Sequence, residues 1–287
     1  MLGTYAKALA GSTVVPAVRK LPGISSPSGE LPDRVLTRDA VEVDREHLAA
    51  YDRVCGFRLR DELPPTYPHI VAFPLAMELM TDSSFPFPVL GIVHIGNRIE
   101  VVSAMDAGEP FSVRVWAGRL SPHERGSQFE VMAEASVGGS VVWRSSSTYL
   151  HRERKGSGKG GGSSRSAERS PSDGSPVPSA VWSVPDDIGR RYAAVSGDRN
   201  PIHMHPLSAK LFGMKTAIAH GMWTKAHALA ALEGELPAAY TVDVRFKLPL
   251  FLPSKVAFAT WLDGTDRHFS VRAAKDAKPH LEGAVTA

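Results

Sequence analysis

The chain repeats itself, and the repeat limits what it can fold into. Residues 51–58 read YDRVCGFR and residues 192–199 read YAAVSGDR. Tyr51/Tyr192, Val54/Val195, Gly56/Gly197 and Arg58/Arg199 match at one constant offset. The same order of elements follows in both places. Phe73-Pro74 precedes the apolar run LAMELM, as His220-Gly221 precedes MWTKAHALAAL. LGIVHIGNRI at 90–99 resembles YTVDVRFKLP at 240–249. PFSVRVWAG at 110–118 and PSKVAFATWL at 253–262 are Val-rich with near-alternating polarity, the pattern of half-buried strands. A duplicated unit has to build one scaffold twice.

Each copy reads as short helices and loops, one longer apolar helix, then consecutive strands. That order predicts an α+β unit: an antiparallel sheet with a helix packed on one face. MWTKAHALAAL is apolar nearly all round and carries small residues at Ala226, Ala228, Ala230 and Ala231. Such a helix belongs in the centre of the unit. A sheet wrapped round one long helix is the hotdog arrangement. Two copies pair their sheets edge to edge, so the expected fold is a double hotdog.

Between the copies the composition shifts to Gly, Ser, Lys, Arg and Pro, which cannot bury enough surface to offset the entropy of ordering. The expected domains are an N-terminal extension (1–34), a first repeat (35–151), a flexible basic linker (152–176) and a second repeat (177–287). Residues 151–169 hold six Lys/Arg against two Glu, within a chain of formal charge +3. No nucleic-acid-binding pattern accompanies that charge, and no nucleic-acid partner is expected. The single cysteine, Cys55, excludes an intramolecular disulfide and any multi-cysteine metal site. No run approaches the ~20 apolar residues that span a bilayer, and the first residues lack the apolar stretch of a signal peptide. A cytoplasmic chain is expected.

The copies differ where chemistry would sit. Phe57 stands opposite Asp198, Leu59 opposite Asn200 and Glu62 opposite His203. Polar groups in one copy alone are what one active site per two copies would look like. In SGDRNPIH (196–203), Asn200-Pro201 favours a turn that folds His203 back towards Asp198. A carboxylate beside an imidazole makes a general acid/base pair, and Asn200 is placed to hold one of them through its side chain. Gly221 opens the apolar helix, where the first N–H groups lack intrahelical partners and the dipole is positive. A glycine there lets a substrate carbonyl approach an oxyanion site. His203, His205, His220 and His227 raise the question of zinc, but no HExxH is present, and no metal or other cofactor is expected. Serine-hydrolase, NTPase and dinucleotide patterns are absent.

YAAVSGDRNPIHMHPLSAKLFGMKTAIAHGM resembles the signature of MaoC-like, (R)-specific enoyl-thioester hydratases. With its degenerate first copy, the whole chain resembles the two-hotdog (3R)-hydroxyacyl-thioester dehydratases. The resemblance implies that Asp198 and His203 are the catalytic pair. It implies that the Gly221 N–H receives the thioester carbonyl and that Asn200, with Ser196 and His220, supports the site. It implies an acyl-CoA or acyl-carrier-protein substrate, with the first repeat, around residues 70–95, holding the acyl chain. Two positions depart from the pattern. His205 stands where an Asp is common, which bears on the cap of the following helix. Met214 stands where a Phe is usual, which bears on the acyl pocket. An acyl thioesterase and a non-catalytic acyl-binding module remain as alternatives, and monomer and homodimer are both open.

Overall fold

The structure is a computed structural model that describes residues 29–152 and 176–287. The expected extension and linker fall almost wholly outside the described residues. Ten strands form one sheet in the order β1-β3-β4-β5-β2-β7-β10-β9-β8-β6. The first repeat contributes β1 (Val35–Val41), β2 (Ile92–Val101), β3 (Phe111–His123), β4 (Gly126–Val137) and β5 (Ser140–Arg152). The second contributes β6 (Ala180–Val184), β7 (Tyr240–Phe246), β8 (Ser254–Asp263), β9 (Asp266–Ala273) and β10 (Pro279–Thr286). The two sets run in the same internal order and meet where β2 and β7 pair antiparallel, from Gly96↔Arg245 to Val101↔Tyr240. The molecule is an α+β double hotdog.

Helices α1 (Arg45–Cys55) and α2 (Tyr67–Met80) belong to the first repeat. Helices α3 (Ile188–Ser196), α4 (Pro201–Met204), α5 (Pro206–Leu211) and α6 (Gly221–Ala231) belong to the second. The helices α1 and α3 end alike: Gly56 (φ 90°) and Gly197 (φ 74°) adopt the left-handed cap. A side chain there costs roughly 1–2 kcal/mol, so the repeated glycine has a backbone cause. Tyr51 and Tyr192, the repeated tyrosines, are buried and face each other with ring centroids 6.2 Å apart.

The central helices α2 and α6 are buried as their composition demands. The first of them begins at Tyr67, well before the Phe73-Pro74 that the sequence suggested as its entrance. Pro74 removes one helical hydrogen bond, but Tyr67, Ile70 and Ala72 on the earlier turns are buried, and that burial carries the helix through the proline. On α6 the one charged residue, Lys225, is fully buried at the seam between the repeats. Across that same seam the Trp223 indole N–H donates to Val54 O at 3.0 Å, and His227 Nδ1 bonds Cys55 O at 2.8 Å.

Candidate active site

Asp198 follows the glycine cap of α3, and its side chain is 26 % exposed. Its N–H donates to Ser196 Oγ at 3.2 Å. The Asn200 N–H donates to Asp198 Oδ1 at 3.2 Å, while the Asn200 side chain accepts from the Ile202 N–H at 3.3 Å and caps α4. Asn200 thus steadies Asp198 through its backbone, whereas the sequence had suggested a side-chain bond to the pair. Pro201 takes the first position of α4, where its missing N–H costs nothing.

That single turn of helix holds His203 in a buried position. The fit depends on Gly189 in α3, where a Cβ would lie 2.1 Å from the His203 carbonyl oxygen. His203 Nδ1 sits 2.8 Å from Ile218 O. A carbonyl can only accept, so the proton is on Nδ1 and Nε2 keeps a lone pair. The same argument applies to His220, whose Nε2–H donates to Asp198 O at 3.0 Å. The two imidazoles stack with centroids 3.6 Å apart and planes at 24°. Burial pushes His203 below its ordinary range, against the upward pull of Asp198. Burial, then His203, push His220 down to about 3. Two neutral imidazoles therefore stand beside one carboxylate, with one ring nitrogen of each and a carboxylate oxygen all within 4.8 Å of one another.

Asp198, His203 and His220 have the composition of a metal site. The stacked rings, however, carry their lone pairs in near-parallel planes, which does not aim them at a common point. The other two histidines of the zinc question lie elsewhere. His205 Nδ1 accepts from the Leu207 N–H at 3.2 Å and caps α5, so the departure from the usual Asp leaves the cap filled. His227 stacks on Trp223 at 5.2 Å.

Gly221 is the first residue of α6, beside His220, so its N–H has no intrahelical partner. A Cβ on Gly221 would meet ring carbons of Phe246 at 3.0 Å. The glycine therefore admits Phe246 from β7, a constraint the sequence did not reveal. Phe246 in turn meets His94 edge-on at 4.9 Å, and His94 stacks on Tyr149 at 4.6 Å. His94 and Tyr149 come from the first repeat. The Asp198 charge acts on both of them and on His69 of α2. Burial, then Lys225, push His69 down to about 4; burial, then His69, push His94 down to about 3. The site is thus built from both copies. Sequence reasoning missed the first-repeat members because their motif match lies in the other copy. Ser145, Ser147 and Tyr149 do carry a signal: polar groups at every second position of a strand share one face.

Fold and site together define a class of double-hotdog protein with an Asp–His centre in its second copy. Residues 166–284 match the MaoC like domain. The 3-hydroxyacyl-thioester dehydratase X of Mycobacterium tuberculosis is 36 % identical over 260 residues, covering 89 % of this chain and 90 % of the relative. A crystal structure of HtdX from the same organism aligns with TM-score 0.77 and 34 % identity, covering 88 % of this chain and 99 % of that one. A MaoC-like dehydratase from Phytophthora capsici shares the fold, with TM-score 0.72, 20 % identity, and coverage of 89 % of this chain and 95 % of that one. The chain belongs to the MaoC-like dehydratase family.

Proposed function

We propose that the protein is a (3R)-hydroxyacyl-thioester dehydratase, equally an (R)-specific enoyl-thioester hydratase, with Asp198 and His203 as its catalytic pair. The observation that carries this reading is the imidazole of His203. Its Nδ1 is committed to Ile218 O, which leaves Nε2 with a lone pair, and a ring nitrogen of His203 lies within 4.8 Å of an Asp198 carboxylate oxygen near the start of α6. Hydration adds OH to C3 and H to C2 of a trans-2-enoyl thioester. Asp198 and His203 hold the water between them and move its proton, while negative charge gathers on the thioester oxygen. The Gly221 N–H faces that charge. One such donor typically contributes about 2.7–4 kcal/mol, and general acid/base help roughly 10²–10⁴-fold.

Ser196 and His220 support the pair, Ser196 through the Asp198 N–H and His220 through the Asp198 carbonyl and its stack on His203. A surface cleft is lined by His47, Tyr67, Ile70, Ser196 and both chain neighbours of Asp198, Gly197 and Arg199, and we assign it to substrate entry. The first repeat (35–151) then serves the acyl chain and the second (177–287) the chemistry. The substrate is an acyl thioester of coenzyme A or a carrier protein.

Asp198→Asn is expected to lower hydration of a crotonyl thioester at least 10²-fold, read as loss of enoyl absorbance, with the melting temperature nearly unchanged. Near-normal turnover in that variant would remove the catalytic assignment. Release of free thiol without loss of the double bond would transfer the protein to the thioesterases.

A further inference from the structure

The last carbonyls of an α-helix have no partner within the helix, so something else must meet them. At the end of α3 the Ala193 carbonyl accepts from the Gly197 N–H at 3.1 Å. The Val195 carbonyl is met from the other repeat. His47 of α1 places Nε2 at 2.8 Å from Val195 O. A carbonyl only accepts, so the proton is on Nε2. Nδ1 is then an acceptor, and the Tyr67 O–H at the start of α2 donates to it at 3.0 Å. The ring is held at both nitrogens. Its backbone is held as well, because the Asp44 side chain caps α1 by accepting from the Glu46 and His47 N–H groups at 2.9 and 3.2 Å.

The arrangement occurs once. In the alignment that matches Tyr51 to Tyr192, Ile188 stands opposite His47 and Ser208 opposite Tyr67. The carbonyls at the end of α1, Val54 O and Cys55 O, are met instead by Trp223 and His227 of α6. The scaffold therefore accepts an apolar residue where His47 stands, and Ile188 is buried there. The histidine is found where the opposite helix leads into the Asp198 turn. From Val195 the chain passes through Ser196, whose Oγ accepts the Asp198 N–H at 3.2 Å, and through the left-handed Gly197. That turn is only as fixed as the helix end from which it leaves.

Resting on the dehydratase reading, we propose that His47 is a positioning residue for Asp198. The first repeat lacks the reactive motif, yet it fixes the end of the helix that presents the carboxylate. His47 also lines the entry cleft, so a residue that merely touched substrate would act on KM, whereas a positioning residue acts on kcat.

The test measures kcat and KM for hydration in the full chain, with the best of a chain-length series of trans-2-enoyl-coenzyme A thioesters. His47→Leu fills the site and removes the donor. It is expected to lower kcat roughly tenfold with KM within about twofold, since a small displacement of a reacting group costs this much or more. His47→Gln carries an N–H to about the place of Nε2 and is expected to bring kcat back to within about threefold of the wild type. In the Asp198→Asn background His47→Leu should cost less than about twofold, because the group it positions is already gone. Melting temperatures show that each variant is folded. Equal kcat in the Leu and Gln variants, a change confined to KM, or a full tenfold loss in the Asp198→Asn background would each overturn the proposal and leave the dehydratase reading standing. Hydration of none of the thioesters by the wild type would overturn both.

Discussion

Two residues that look alike in a sequence, a charged group in a helix, have opposite fates in this protein. Lys225 is buried and every N–H it can offer has an acceptor. Asp52 is 1 % exposed, and neither carboxylate oxygen has a hydrogen-bond partner among the described residues. It stands where the other copy has Ala193, so the scaffold does not need an acid there. Burial, then Glu233, push its carboxyl up to about 7 from an ordinary value near 4. Between those values the folded state holds a proton that the unfolded chain has lost. Stability therefore falls as pH rises from about 4 to about 7 on this account, and the loss persists above that range. Asp52→Asn is expected to raise the melting temperature at pH 8 by several degrees more than at pH 5, measured by calorimetry at both values. An equal shift at the two values would show that Asp52 is not held protonated. Nothing in YDRV announced this, because the burial of Asp52 is a property of the helices that enclose it.

At the scale of elements, much of the site was legible and its support was not. The turn at Asn200-Pro201, the pairing of Asp198 with His203 and the start of a helix at Gly221 all follow from local chemistry. Prolines, caps and glycines act over a few residues, so a sequence displays them. The close approach of α3 to α4 is different, since it depends on Gly189, which looks like any helical glycine. Gly189→Ala would place a methyl about where the His203 carbonyl now lies. The expected outcome is displacement of α4, with kcat/KM reduced at least tenfold and a melting temperature several degrees lower, since overpacking costs about 1–3 kcal/mol. Unchanged kinetics would mean that α4 can shift without moving His203. Pro74 teaches the reverse lesson: a strong local signal for a helix boundary yielded to burial of the turns before it.

At the scale of the molecule, the two copies are one sheet. The β2–β7 ladder and the Lys225–Asn97 bond join them, and α6 donates across the seam at Trp223. Separated from its partner, the second repeat would expose the β7 edge, and an unpaired edge beside an apolar face seeks another strand. A fragment of residues 176–287 is therefore expected to associate with itself through Tyr240–Phe246, forming a symmetric dimer measurable by light scattering. A stable monomeric fragment would show that the seam contributes little. Such a dimer would also lack His69, His94 and Tyr149, so its substrate range separates the contribution of the first repeat from the chemistry of the second.

The sequence alone determined that the fold is built twice and that only one copy carries the Asp–Asn–His motif, because duplication and motif spacing are written along the chain. It also brought Asp198 and His203 near each other, since a turn is a local event, whereas the approach of His220 and the start of α6 to His203 is a tertiary contact. Tertiary structure alone decided which first-repeat residues feel the Asp198 charge. His69, His94 and Tyr149 reach it from a central helix and two strands, and only closure of the sheet at β2 and β7 brings them to Asp198.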